Sequence, residues 1–267
     1  MDIGGFVVGD QTETAYLYCK SSCVLAGQPY AQAVFDYFSD LNVSWNYPDG
    51  AVLEGSGSNK IVVAVVSGPC RQVLMAERTA LNVLSRASGV ATAARKAKDI
   101  TEANKWTGMV AGTRKTTPGF RGVEKYALVV GGVATHRVDL SQMVMLKDNH
   151  IWSAGSITKA VQKAKVAAGF SHKIEVECQS LEEALEACTC GADIVMLDNF
   201  TPESLHHSAK EIKDNFPHVT VEASGGITQE TMHLFMGPHV DVISRGSLTQ
   251  GYACKDFSLK IQPRQDA

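Results

Sequence analysis

Residues 173–199 read KIEVECQSLEEALEACTCGADIVMLDN, and this stretch decides the fold. Lys173-Ile-Glu-Val-Glu177 is a short apolar run that ends on a charge, the signature of a buried strand. Ser180-Leu-Glu-Glu183 is a capping box, so a helix over 180–188 begins there. Ile194-Val-Met-Leu-Asp198 then repeats the first pattern and again ends on a carboxylate. Strand, helix and strand at this spacing make a parallel βαβ unit, with Glu177 and Asp198 at the same end of neighbouring strands.

The same grammar extends outward in both directions. Met109–Lys115, Val144–Lys147, Val219–Ser224 and Val240–Ser244 are further runs of this kind, with helix-like segments such as Ser156–Ala168 between them. Six consecutive units suit an αβ barrel better than an open sheet. Each run delivers a charge or a Ser-Gly group at its C-terminal end, which in such a barrel is the catalytic mouth.

Ahead of residue 100 the pattern differs. Ala15, Leu17 and Cys19 alternate with Tyr16 and Tyr18 as in a strand, 29–38 reads as a helix, Pro48-Asp-Gly50 as a turn and 60–66 as a buried strand. Residues 71–98 form a long helical stretch with Gly89 as a candidate break. Phe257, Leu259 and Ile261 alternate again. The expected organisation is an N-terminal α+β domain over 1–100, an αβ barrel over 101–250, and a C-terminal strand within 251–267 that returns to the first sheet.

A chain of 267 residues with 45% hydrophobic content can bury a full core. Its net charge of −3 argues against nucleic acid and anionic membrane surfaces as partners. Residues 1–9 lack a leader pattern, no stretch approaches membrane-spanning length, and the terminal QPRQDA matches no retention signal. The odd count of seven cysteines points to reduced thiols in the cytoplasm, with Cys188 and Cys190 as small apolar filler rather than metal ligands.

Against this acidic background one segment is basic. Between Arg114 and Lys147 stand six Arg or Lys residues and one His against two acids, Glu124 and Asp139. Such a focus suits a polyanionic small molecule, because Arg grips carboxylate or phosphate in a planar fork and Lys adds a mobile charge. Arg78, which interrupts the apolar stripe of its helix, is a further candidate. Glu177 and Asp198 at a cationic mouth suggest an oxygen-ligand Mg²⁺ site, and Glu175, two residues back in its strand, could share that duty. Ser224-Gly-Gly-Ile227 and Ser244-Arg-Gly-Ser247 follow the last two strands, the common phosphate position of αβ barrels.

These residues, taken together, resemble one family. TRKTTPGFRGVEKYA at 113–127, GGVATHRVDL, VMLKDNHI, KIEVEC, ADIVMLDN, VEASGGI and the DVIS-x-G-x-LT pattern at 241–249 look like quinolinate phosphoribosyltransferases, as do Asp2-Ile-Gly-Gly, Gly9-Asp10 and VLAGQPY near the start. The resemblance covers essentially the whole chain. It implies an incomplete TIM-like αβ barrel with an N-terminal open-faced α/β sandwich, the type II phosphoribosyltransferase fold. It also implies transfer of a phosphoribosyl group from phosphoribosyl pyrophosphate to quinolinate with decarboxylation, in NAD biosynthesis. Carried over residue by residue, it places Arg114, Lys115, His136, Arg137 and Lys147 around quinolinate and the pyrophosphate. Glu177 and Asp198 would face the ribose and Mg²⁺, and Ser224, Gly225, Gly226 and Gly246 the 5′-phosphate. Lys115, Lys147, Glu177 and Asp198 would be the catalytic set. Arg78 would reach into a neighbouring subunit's site, in a homodimer or a hexamer of three dimers.

Two features depart from the family. The chain opens almost at its Asp2-Ile-Gly motif, whereas family members carry a helical segment ahead of it that helps to form the dimer. Arg245 stands where the family usually has a small or apolar residue, and is expected either to reach solvent or to add charge near the phosphate. Two rival readings are a nicotinate phosphoribosyltransferase and a barrel lyase using Lys147 as a Schiff base.

Overall fold

The computed structural model describes residues 3–263. Asp2 of the opening motif and residues 264–267 of the terminal QPRQDA lie outside the described residues. The chain divides into two compact units, one formed by Met1–Arg95, Thr117–Gly132 and Gly251–Ala267, the other by Lys96–Thr116 and Val133–Gln250.

The first unit contains helix α1 (Gly5–Val8), strands β1 (Thr12–Cys19) and β2 (Ser22–Val24), helix α2 (Gln28–Asp36), strands β3 (Asn42–Trp45), β4 (Val52–Glu54) and β5 (Ile61–Pro69), and helix α3 (Cys70–Ala103), whose last residues count with the second unit. Helix α4 (Arg121–Val130) and the last strand, β12 (Phe257–Ile261), also belong here. Its main sheet is antiparallel in the order β12-β1-β5-β3. The alternating residues of the terminal strand thus pair antiparallel with β1. Ala15, Leu17 and Cys19 point into a core with Phe35, Val73, Ala80 and Leu84. A register shift at Leu17/Tyr18 lets the consecutive residues Val63 and Ala64 both be buried. The turn at 48–50 supplies Asp49, whose carboxylate accepts the N–H groups of Gly27 and Gln28 at the start of α2.

Helix α3 does not break at Gly89. The glycine is required by close approach: a Cβ there would stand 2.6 Å from the Ala253 carbonyl oxygen and 2.8 Å from the Tyr252 ring.

The second unit holds strands β6 (Met109–Ala111), β7 (Val144–Leu146), β8 (Ile174–Cys178), β9 (Ile194–Asp198), β10 (Thr220–Ser224) and β11 (Val242–Ser244). All six are parallel, in the order β6-β11-β10-β9-β8-β7. The first strand thus lies beside the last, and a parallel bridge from Ala111 to Ala134 extends the β6 side. Sequential neighbours joined by crossovers, with first beside last, make the TIM-like barrel incomplete between Ala134 and β7. Helices α5 (Asp148–Ala154), α6 (Ile157–Ala168), α7 (Leu181–Thr189) and α8 (Pro202–Asn215) supply the connections. Ser180 caps α7 by accepting the Glu183 N–H at 3.2 Å, but the Glu183 carboxylate takes the N–H of Gln179, one residue earlier than a strict capping box. No described helix is long and apolar enough to cross a membrane.

Candidate active site

The strand ends of the second unit surround a cavity of about 420 Å³. Arg114 and Lys115 enter it after β6, His136 and Arg137 after the bridge at Ala134, Lys147 after β7, Glu177 and Asp198 from β8 and β9, and Ser224 and Ser244 from β10 and β11. Thr113, Met145 and Met196 complete the wall.

Four cations, Arg114, Lys115, Arg137 and Lys147, line this cavity. The buried Nε of Arg114 has no hydrogen-bond partner, so part of a desolvated guanidinium is unsatisfied. Burial, and then the charge of Arg114, lowers the pKa of Arg137. Two guanidiniums that disfavour one another are relieved by a ligand bearing more than one negative charge. Lys147 forms an ion pair with Glu177, and its backbone N–H donates to His150 Nδ1 at 3.2 Å, which is the local work of the LKDNH motif.

The acidic side is locked to its neighbour strand. Asp198 Oδ2 accepts from Asn199 Nδ2 at 2.6 Å, and the Asn199 N–H donates to the Ser224 carbonyl at 2.9 Å. Asn199 has φ +60° and Gly225 φ +90°, and a Cβ on Gly225 would lie 2.3 Å from Asn199 Oδ1. The glycine is there because the Asp-Asn corner occupies its side-chain space.

Beneath the cavity His136 joins two glutamates. It holds a left-handed backbone at φ +55°, uncommon for a residue with a side chain. The Arg137 N–H donates to its Nδ1 at 2.8 Å, so Nε2 carries the ring proton, and Nε2 lies 3.2 Å from Glu222 Oε2 and 3.8 Å from Glu175 Oε2. Glu175 is fully buried with neither oxygen hydrogen-bonded, and burial, followed by the charge of Glu222, pushes its pKa up to about 9. The three residues could bring ligand atoms within 4.8 Å of one another. A protonated Nε2 has no lone pair to offer, however, so the arrangement is a hydrogen-bonded floor rather than a metal centre.

The late loops have free donors. Gly225 and Gly226 both take positive φ. Among the described residues, the N–H groups of Gly225, Gly226 and Gly246 donate to no other group. Ser244 Oγ is buried without a partner. Gly246 packs on Lys115, whose Cδ would stand 3.0 Å from an added Cβ. Of the two expectations for Arg245 the structure corrects one: it does not reach solvent, but is buried and donates to the Ile227 carbonyl and to Ser247 Oγ.

The cavity therefore brings together Arg114, Lys115, His136, Arg137, Lys147, Glu177, Asp198 and Ser224. Gly225, Gly226 and Gly246 lie in the loops that follow but do not line it. Arg78 is exposed on α3, in the first unit. Sequence reasoning missed Glu222, Asn199 and the orphan hydroxyl of Ser244. Glu222 and Ser244 carry a signal that was available, a polar residue at an inward position of a barrel strand, while Asn199 gave none beyond its motif.

Comparison with known proteins points the same way across the chain. Residues 2–88 match the model for the quinolinate phosphoribosyl transferase N-terminal domain and residues 90–260 that for the C-terminal domain. The chain is 51% identical to the Homo sapiens nicotinate-nucleotide pyrophosphorylase [carboxylating], covering 100% of this chain and 88% of the relative. It is 50% identical to the Rattus norvegicus protein of the same name, covering 100% and 87%. Among solved structures, the nicotinate-nucleotide pyrophosphorylase from Francisella tularensis superposes with a TM-score of 0.89 at 34% identity, over 98% of this chain and 90% of that one.

Proposed function

We infer that this chain, which belongs to the quinolinate phosphoribosyl transferase family, joins quinolinate to phosphoribosyl pyrophosphate and releases pyrophosphate and carbon dioxide, giving nicotinate mononucleotide. The observation that carries this reading is the pair of guanidiniums Arg114 and Arg137, the first with its buried Nε unsatisfied, lining a single cavity with the carboxylates Glu177 and Asp198.

The chemistry follows from charge. As pyrophosphate departs, the ribose gains oxocarbenium character, so carboxylates facing the sugar and cations facing the leaving group both favour the transition state. Arg114 and Arg137 hold the substrate carboxylates, Lys115 and Lys147 answer the phosphates, and Glu177 and Asp198 face the ribose. The pyridine nitrogen forms the new bond and becomes a cation. Its positive charge stabilises the electron pair left on C2 when the C2 carboxylate departs as carbon dioxide, and C2 then takes up a proton from solvent, with no organic cofactor needed. Positioning and electrostatics supply the acceleration.

The donor set also fits Mg²⁺. Glu177 and Asp198 are hard oxygen donors on adjacent strands lining the same cavity, and substrate phosphates would complete the shell. The ion when bound would neutralise charge on the departing pyrophosphate. The free N–H groups of Gly225, Gly226 and Gly246, with Ser224, suit the 5′-phosphate. Arg78 would serve a neighbouring subunit's site in a homodimer, alone or as part of a hexamer, in the cytoplasm. Mixing inactive Arg78→Ala and Lys147→Ala chains should then restore up to about a quarter of wild-type activity, since half the dimers would be mixed with one intact site each. No recovery after subunit exchange would remove that arrangement.

The lyase alternative requires a desolvated, unpaired lysine. Lys147 is 42% exposed along its side chain and paired with Glu177. The discriminating experiment is turnover of quinolinate against nicotinate with phosphoribosyl pyrophosphate and Mg²⁺. Faster turnover of nicotinate would overturn the assignment.

A further inference from the structure

Arg245 is a buried cation that the reaction outlined above does not use. It is 6% exposed, immediately after β11. Its Nε donates to the Ile227 carbonyl at 3.3 Å and its Nη2 to Ser247 Oγ at 3.1 Å, while Nη1 lies 3.7 Å from Met232 Sδ. No carboxylate comes within ion-pair distance of it among the described residues; Glu230 acts on it only through space. A desolvated guanidinium ordinarily has an anionic partner, because the cost of burying its charge must be offset.

Its two oxygen partners belong to different loops. Ile227 closes Ser224-Gly-Gly-Ile227, and Ser247 lies in the 3-10 turn Gly246–Leu248. These are the loops whose glycine N–H groups are free. With Gly225 and Gly226 both at positive φ, the first loop has little intrinsic stiffness. A planar group bonded to both loops holds them in one register, which a flexible or apolar side chain would not do.

We propose that Arg245 is a positioning residue for the phosphate of the ribosyl donor: it ties the two loops together, and the anion they hold answers its unpaired charge. This rests on the reading of those loops as the phosphate site. Burial, which lowers the pKa of Arg245, agrees with a cation lacking its counter-charge in the free protein.

The test uses the full chain as wild type, Arg245→Met and Arg245→Lys. Arg245→Met should raise the KM for phosphoribosyl pyrophosphate about ten-fold, with kcat and the calorimetric affinity for quinolinate within about two-fold of wild type. Arg245→Lys keeps a charge but spans the loops poorly, and should fall between the two. Thermal stabilisation by inorganic phosphate alone should shrink in the same order, a readout that does not depend on turnover. A wild-type KM and wild-type phosphate response in Arg245→Met would overturn the proposal, as would equal losses of donor and quinolinate affinity. If Arg245→Met fails to fold, Arg245→Lys decides: a KM raised about three-fold or more supports the role, and an unchanged KM ends it. If wild type binds phosphate but does not turn over quinolinate, the family reading of the reaction fails while the role of Arg245 is still measured.

Discussion

His136 Nε2 stands 3.2 Å from Glu222 Oε2 beneath the cavity, while the same ring accepts the backbone N–H of Arg137 through Nδ1 at 2.8 Å. One carboxylate therefore fixes the tautomer and orientation of the ring, and the ring fixes the backbone of an arginine that lines the site. Removing the acceptor leaves a buried imidazole N–H unpaired, at a cost of about 1–3 kcal/mol. Glu222→Ala should lower both the melting temperature and kcat/KM for quinolinate, whereas Glu222→Gln, whose amide oxygen can accept the same bond, should retain most of both. Equal damage in the two variants, by calorimetry and steady-state kinetics, would mean that charge and not the acceptor matters.

Glu175 makes a prediction about stability and pH. Burial first, then Glu222, raises its pKa from the ordinary 4.5 to about 9 in the folded protein. The unfolded chain releases this proton above 4.5, while the folded chain keeps it until about 9. The stability contribution is thus fully present below 4.5 and is lost progressively as pH rises through that window. Glutamine has no proton to lose. Glu175→Gln should therefore be more stable than wild type at pH 8, by about 1–3 kcal/mol, with the advantage vanishing toward pH 5. Urea midpoints that differ equally at pH 5 and pH 8 would refute this.

Arg114→Ala and Arg137→Ala each remove one guanidinium from the partly desolvated cavity proposed to hold the substrate carboxylates. Each should cost about 2–5 kcal/mol of transition-state stabilisation, read from kcat/KM for quinolinate. Near-normal turnover across substrate concentrations in either variant would remove that residue from the site.

Asp198→Asn keeps the shape of the corner with Asn199 but loses a charge. It should weaken Mg²⁺-dependent use of phosphoribosyl pyrophosphate and leave quinolinate binding nearly intact. Titration calorimetry with each substrate separates the two, and parallel loss of both affinities would indicate general collapse of the site instead.

Much of this molecule is legible without coordinates because its signals are local. The βαβ grammar of 173–199, the alternation at 15–19 and 257–261, and the charges at each strand's end need only the strand period of two, the helical repeat and the start of a capped helix. The direction in which β8 and β9 run places Glu177 and Asp198 at one mouth, and the basic focus from Arg114 to Lys147 announces an anion.

Other features rest on contacts between residues far apart in sequence. Gly89 sits unbroken within α3 because Ala253, more than a hundred residues later, occupies its side-chain space. Arg245 is buried because Ile227 and Ser247 both offer it oxygen, and no property of the tetrapeptide around it foretells that. The sequence by itself determined the elements, their order and the chemistry gathered at the strand ends. Only the tertiary structure decided that His136 faces two acids, that Glu175 lies without a hydrogen bond, and that the buried Nε of Arg114 is left unsatisfied. Periodicity and charge are properties of the chain, whereas burial, protonation and pairing depend on which side chains the barrel brings within a few ångströms of one another.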